Sequence, residues 1–280
     1  MKVASFETDG RSSYGVAAED GVREASAGFR AQYPDLRSVL EGDALADLEV
    51  DQGGDWLDLK GLHFLPTIPN PDKIICVGMN YRPHVEELGR EPPDRPVLFV
   101  RFRGSQSGHG RPILRPRAST MFDFEGELAV IIGRRARHLE REAAEACIAG
   151  YCCFMDGTVR DWQRHTTQFT AGKNFHRSGS MGPWLVTPAL IPNPAELELT
   201  TRVNGEIMQQ GSVADLIFDI PSLLEYCSTF AELLPGDVIA TGTPGGVGAA
   251  RNPPVWLESG DRVEVDIGVV GCLVNTVRDE

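Results

Sequence analysis

Short apolar runs broken by glycine, proline, aspartate and asparagine dominate this chain, and only a few stretches carry apolar residues at helical spacing. Two β-like runs, Val3 to Glu7 and Tyr14 to Ala17, flank the turn-rich TDGRSS, and Asp35 to Leu48 reads as helix. The proline- and glycine-rich stretch 51–72 marks a boundary. A small N-terminal α/β domain, 1–70, is therefore expected before a larger domain, 71–280. In that larger part IICVG, PVLFVRF, GELAVIIG, YCCFM, PWLVT, LTTRV, DVIATG and RVEVDIG read as strands. Helix is expected only at His84 to Leu88, Glu140 to Ile148 and Ile220 to Ala231. Strand and helix do not alternate at βαβ spacing, which argues against a doubly wound sheet and for an α+β, mainly β, protein.

The segment Phe122 to Gly133, FDFEGELAVIIG, carries the most chemistry. As a strand it would place Asp123, Glu125 and Glu127 on one face by the period of two. A carboxylate row is ordinarily a solvated face, but this one runs into LAVIIG, a continuous apolar run that implies burial on both sides. Crowded, half-buried carboxylates are costly unless a positive charge sits among them, and an all-oxygen set suits Mg²⁺, Mn²⁺ or Ca²⁺ better than zinc. A third oxygen ligand is expected from another strand end. Asp156 closes the apolar run YCCFM, with Arg160, Asp161 and Gln163 following; Asp161 reads as an arginine partner.

In VGMNYRPHVEEL, Pro83 suits a first helical turn, so His84 and Glu87 fall three apart on one face. A carboxylate beside an imidazole fixes its tautomer and raises its basicity, as a general base requires. The loop ATGTPGGVG, Ala240 to Gly248, follows a strand but cannot open a helix into AARNPP, so it reads as a close backbone approach to a small ligand rather than a nucleotide site. Lys173 in TAGKNF lies between apolar strands. GxSxG, HExxH, Walker A and a helix-opening GxGxxG are all absent, which removes serine hydrolase, zincin and P-loop readings.

Composition narrows the partners. With 280 residues and a formal net charge of −13, the chain repels nucleic acid and anionic membrane, so an anionic substrate must be held by a local basic cluster. The six cysteines show no CxxC pair and read as reduced core residues. Without a signal-like or membrane-length apolar run, a cytoplasmic protein is expected.

Taken in order, GMNYRPH, FDFEGELAVIIG, DGTVRDWQ, GKNF with GPWLVT, VNGEIMQQG and PGDVIATGTPGGVG resemble the fumarylacetoacetate hydrolase family from about Lys73 onward. The resemblance implies a mixed β-sandwich roll and a homodimer. It implies a Mg²⁺ or Mn²⁺ site, open to Ca²⁺ in a crystal, with ligands matching Glu125, Glu127 and Asp156. It further implies a dyad matching His84 and Glu87, an oxyanion-stabilising lysine matching Lys173, and substrate contacts matching Tyr81, Arg160, Gln163 and Thr243. The chain departs from the family pattern at Met155, in NFHRSGSMGPW, and at Arg101 and Arg103, where the LFxK pattern carries lysine. These departures leave the metal site alone and bear on the substrate.

The implied activity is metal-dependent hydrolysis of a C–C bond in a small anionic 1,3-diketo acid, an acylpyruvate or a fumarylacetoacetate-like compound of aromatic catabolism. His84 would activate water and Lys173 would stabilise the oxyanion on the way to an enolate. An alternative on the same site is decarboxylation of oxaloacetate or isomerisation of a 2-hydroxy-dienoic diacid. An alternative of another class is a non-catalytic metal-dependent binding protein, which would not need His84 or Lys173. The acidic segment Val85 to Asp94 is expected to close over the metal as a lid.

Overall fold

The computed structural model describes residues 1–87 and 89–280; Leu88, within the expected lid, lies outside the described residues. The protein is α+β and mainly β, built on two large sheets. The first runs Trp56–Asp58, Gly21–Glu24, Arg11–Ala17, Lys2–Thr8, Gly179–Val186, Ile148–Met155, Gly126–Ile132, Val238–Ala240, Ile74–Gly78 and Val97–Arg101. The second, five-stranded, runs Glu206–Ser212, Glu198–Val203, Arg262–Asp266, Cys272–Asp279 and Ile113–Arg115.

The strand Gly126–Ile132 shows why LAVIIG is apolar throughout. Leu128, Val130 and Ile132 enter the core with Leu199, Val263, Val265 and Leu273 of the second sheet. Ala129 and Ile131 face the opposite way and pack with Leu36, Val39 and Leu40 of a short N-terminal helix. Both faces are dry, and each buried Leu or Ile contributes roughly 1.5–3 kcal/mol.

The N-terminal strands extend the same sheet, with Lys2 opposite Val186 and Val3 opposite Leu185. Within this part the single helix expected over Asp35 to Leu48 is two, Leu36–Glu41 and Leu45–Val50. Asp35 and Ser38 form a capping box on the first, and the chain breaks at Asp43, whose φ of 53° leaves the helical region.

A further difference lies at Glu140 to Ile148, expected as helix and found as the 3₁₀ turns Arg141–Ala143 and Glu145–Cys147 running into a strand. Ile148 is drawn into register opposite Ile132, and what remains buries only Ala144 and Cys147, too little for a helical stripe. The helix Ile220–Phe230 is present, capped by Asp219. All six cysteines are free, Cys272 half-buried and the others buried. No helix among the described residues is long and apolar enough to cross a membrane.

Candidate metal centre and active site

Three carboxylates meet at one end of the first sheet. Gly126 pairs with Met155 across neighbouring antiparallel strands, so the period of two turns Glu127 and Asp156 to the same face. Glu125 joins them from the turn before its strand, its carbonyl accepting the Asp156 N–H at 2.8 Å. Ligand oxygens of Glu125, Glu127 and Asp156 lie within 4.8 Å of one another, and all three residues are buried. Burial and the charges of Asp156 and Glu125 push the Glu127 carboxyl well above the usual range, although it accepts the Gly242 N–H at 3.0 Å. Gly242 is required there, because at φ 109° a Cβ would stand 2.9 Å from Asn80 Cβ. The set is all oxygen, dry and mutually repulsive, which fits a hard divalent cation.

The cations of the chain close the site. Lys173 Nζ lies 2.7 Å from Glu125 Oε2 and 2.5 Å from Asp156 Oδ2, with its charge over the Phe99 ring at 4.9 Å. Arg160 Nη2 stands 2.7 Å from Glu125 Oε1, while its Nε donates to Asp123 Oδ2 at 2.7 Å. Burial opposes the Glu125 charge, but Lys173 and Arg160 outweigh it and bring its pKa down to about 2.

Asp123 is the exception to the expected carboxylate row. Strand geometry is interrupted between Asp123 and Gly126, and the Asp123 carboxylate is spent on Arg160 and on the N–H groups of Gly248 and Ala249 at 2.8 and 2.9 Å. It fastens the glycine-rich loop instead of joining the triad.

A cavity of about 310 Å³ opens over the triad, lined by His84, Gln163, Lys173 and Thr243 among others. His84 and Glu87 lie on the helix Arg82–Glu87, with His84 Nδ1 3.3 Å from Glu87 Oε2. Glu87 also accepts the Gly246 N–H at 3.0 Å, which ties this helix to the loop. Gln163 accepts from Arg160 Nη1 at 3.1 Å. Thr243 donates to the Gly126 carbonyl at 2.8 Å and accepts from the buried Gln209 at 2.7 Å.

Tyr81 does not share this placement. It is fully buried among the core apolar residues and is not among the residues that line the cavity. Its backbone bridges to Leu216, which turns the ring into the core while His84 faces the cavity.

Arg101, set by its sequence among departures that leave the metal site alone, contacts Asp156, which overturns that expectation. Its fully buried guanidinium pairs with Asp156 Oδ1 and donates to the Gly157 carbonyl at 2.9 Å and to Ser178 Oγ at 2.8 Å. The signal available was a charged residue inside the apolar run PVLFVRF.

With this geometry in place, the comparisons are decisive. A model of the fumarylacetoacetate (FAA) hydrolase C-terminal domain matches residues 73–278. The chain belongs to the fumarylacetoacetate hydrolase family. It is 42% identical over 214 residues to oxaloacetate tautomerase YisK of Bacillus subtilis (strain 168), covering 75% of this chain and 71% of that protein. Fumarylacetoacetate hydrolase from psychrophilic Exiguobacterium antarcticum superposes with a TM-score of 0.88 at 36% identity, covering 100% of each chain. Maleylpyruvate hydrolase from Sphingobium sp. SYK-6, solved with manganese(II) and pyruvate, gives 0.80 at 28% identity, covering 100% of this chain and 99% of that one. The family's mixed β fold and an enzyme of this family are thereby established, and the acidic triad matches a divalent-metal site.

Proposed function

We propose that this enzyme is a Mg²⁺- or Mn²⁺-dependent tautomerase of a short 2-oxo diacid of the oxaloacetate type. The observation that carries the reading is a cavity of only about 310 Å³ with three buried carboxylates at its floor and His84 and Lys173 in its wall. That volume lies at the small end for ligand sites and suits a four-carbon diacid better than a long acyl chain. The likeness to an oxaloacetate tautomerase supports the same choice over the C–C hydrolase expected first.

Glu125, Glu127 and Asp156 would hold the ion, which would polarise the 2-keto group and make the neighbouring C3 hydrogens acidic. In our reading His84, oriented by Glu87, takes one proton from C3 as the C2–C3 double bond forms, and one proton is added to the C2 oxygen. No water is consumed and nothing leaves. Lys173 supplies positive charge beside that oxygen. Gln163, whose carbonyl oxygen is engaged by Arg160, keeps its amide nitrogen for a substrate carboxylate. Assembly as a homodimer belongs to the same proposal and is checked by sedimentation.

Hydrolysis of a 1,3-diketo acid is the second reading, favoured by the His84–Glu87 pair, which suits water activation, and by the likeness to two hydrolase structures. One experiment separates them. The Mn²⁺-loaded enzyme is given oxaloacetate and a panel of acylpyruvates, with enol absorbance followed and products identified by mass. Faster keto–enol exchange with no change in mass supports the tautomerase. Pyruvate and carbon dioxide would make it a decarboxylase, and cleavage of acylpyruvates without faster exchange would replace the proposal with the hydrolase.

A further inference from the structure

A second cavity, of about 620 Å³, shares no lining residue with the one over the carboxylates. Its walls carry Lys60, His109, Arg111, Arg177 and Arg278, and among the described residues no aspartate or glutamate lines it. In a chain with 40 acidic and 27 basic residues, such segregation is unexpected. We propose that this cavity is a binding site for a small multivalent anion, a polycarboxylate or a phosphate.

The first argument is charge. Four permanent cations face one space, and no ion pair joins any of them to a carboxylate among the described residues. Nearby acids are engaged elsewhere: Asp279 pairs with Arg115 at 2.7 Å, and Asp58 accepts the backbone N–H of Lys60 at 2.9 Å. Glu7 lies opposite His63 in a strand pair and is not among the lining residues. Like charges converging without counter-charge raise the free energy of the empty site, and an anion with several negative oxygens reverses that cost.

Arg177 sharpens it. Half-buried, it donates only to neutral acceptors, Ser107 Oγ and the Pro112 carbonyl, both at a long 3.3 Å. Burial and the adjacent Arg111 hold its pKa below the ordinary arginine value. Its backbone sits at φ 49°, a region that non-glycine residues seldom occupy, held by bonds to Gly104 and Leu114. A strained, desolvated and repelled guanidinium is a poor choice for a merely structural position.

His109 adds a neutral donor. Its Nδ1 accepts the Val274 N–H at 3.2 Å, which leaves the proton on Nε2, and burial lowers its pKa to about 4, so it stays neutral near pH 7. Lys60, the three arginines and His109 are thus donors in one wall, which His63 shares, and they match the oxygens of a polyanion. The volume exceeds that of a single ion and admits a small organic one.

The test uses Mn²⁺-loaded enzyme saturated with oxalate, so that the triad is already occupied. Inorganic phosphate, tricarballylate and acetate are titrated by calorimetry at constant ionic strength. One saturable site for phosphate or tricarballylate, absent with acetate and weakened by added salt, is expected; which of the two binds names the source. Arg177→Gln and Arg278→Gln should each weaken it roughly tenfold, as expected for a charge-assisted hydrogen bond. Arg278 is exposed, so its truncation does not threaten folding, and kcat should not change in that variant. Equal binding of acetate, no saturable binding, or unchanged affinity in Arg278→Gln would overturn the proposal. So would a change in oligomeric state in that variant, which would make this face a contact between copies of the chain.

Discussion

Glu87 Oε2 lies 3.3 Å from His84 Nδ1, close enough to orient the imidazole. Because Glu87 also holds Gly246, a glutamine there can keep the helix in place while losing the charge. Glu87→Gln is expected to lower kcat well beyond any change in KM. Steady-state kinetics on oxaloacetate check this, and an unchanged kcat would reduce Glu87 to a tether.

Lys173 is the cation shared by Glu125 and Asp156. Lys173→Met should lower kcat by about 10²–10³, the usual cost of losing one oxyanion donor. It should also lower the melting temperature of the metal-free protein, since it leaves buried carboxylates uncompensated, and Mn²⁺ should recover most of that loss. A melting curve insensitive to both changes would contradict the electrostatic account of the site.

Arg101 engages one oxygen of Asp156, and Lys173 engages the other. Supports of this kind typically contribute about 10–100-fold to metal affinity. Arg101→Met should weaken Mn²⁺ binding by that order in calorimetric titration while the fold persists by circular dichroism. Wild-type affinity in a folded variant would show that Arg101 serves packing alone.

A fourth expectation concerns acid stability, at Glu24. Burial opposes its charge, but hydrogen bonds from Arg11 and Ser13 and the nearby Arg30 hold its pKa below the ordinary 4.5. The carboxylate therefore stabilises the fold above that pH, and the contribution fades as pH drops toward the lower folded value. The melting-temperature gap between wild type and Glu24→Gln should be widest near neutrality and close below about pH 4.5. A gap that stays constant from neutral to acid pH would exclude this linkage.

What was legible in the sequence follows from what is local. Strands buried on both faces announce themselves as apolar runs, and Glu125, Glu127 and Asp156 could be picked out because each sits at a strand end against such a run. Asp123 could not be separated from them by periodicity, since the break after it depends on pairing with Thr158. Tyr81 stands three residues from His84 in the same motif, yet it is buried in the core while His84 lines the cavity, a difference that spacing does not show. Arg101 and Gln209 act through partners distant in the chain, and only the charge inside the apolar run PVLFVRF hinted at the first.

The pairing of Lys2 with Val186 has a consequence for how this molecule is made on the ribosome. The strand nearest the amino end cannot take its place beside Gly179–Val186 until about two thirds of the chain has been synthesised. Until then Arg11–Ala17 can hold one edge of that strand, while Lys2 and Val3 on the other edge await Val186 and Leu185. Such long-range closure slows folding and leaves unpaired edges exposed meanwhile. That open edge during synthesis is therefore a property of this topology, and it rests on residues far from the chemistry.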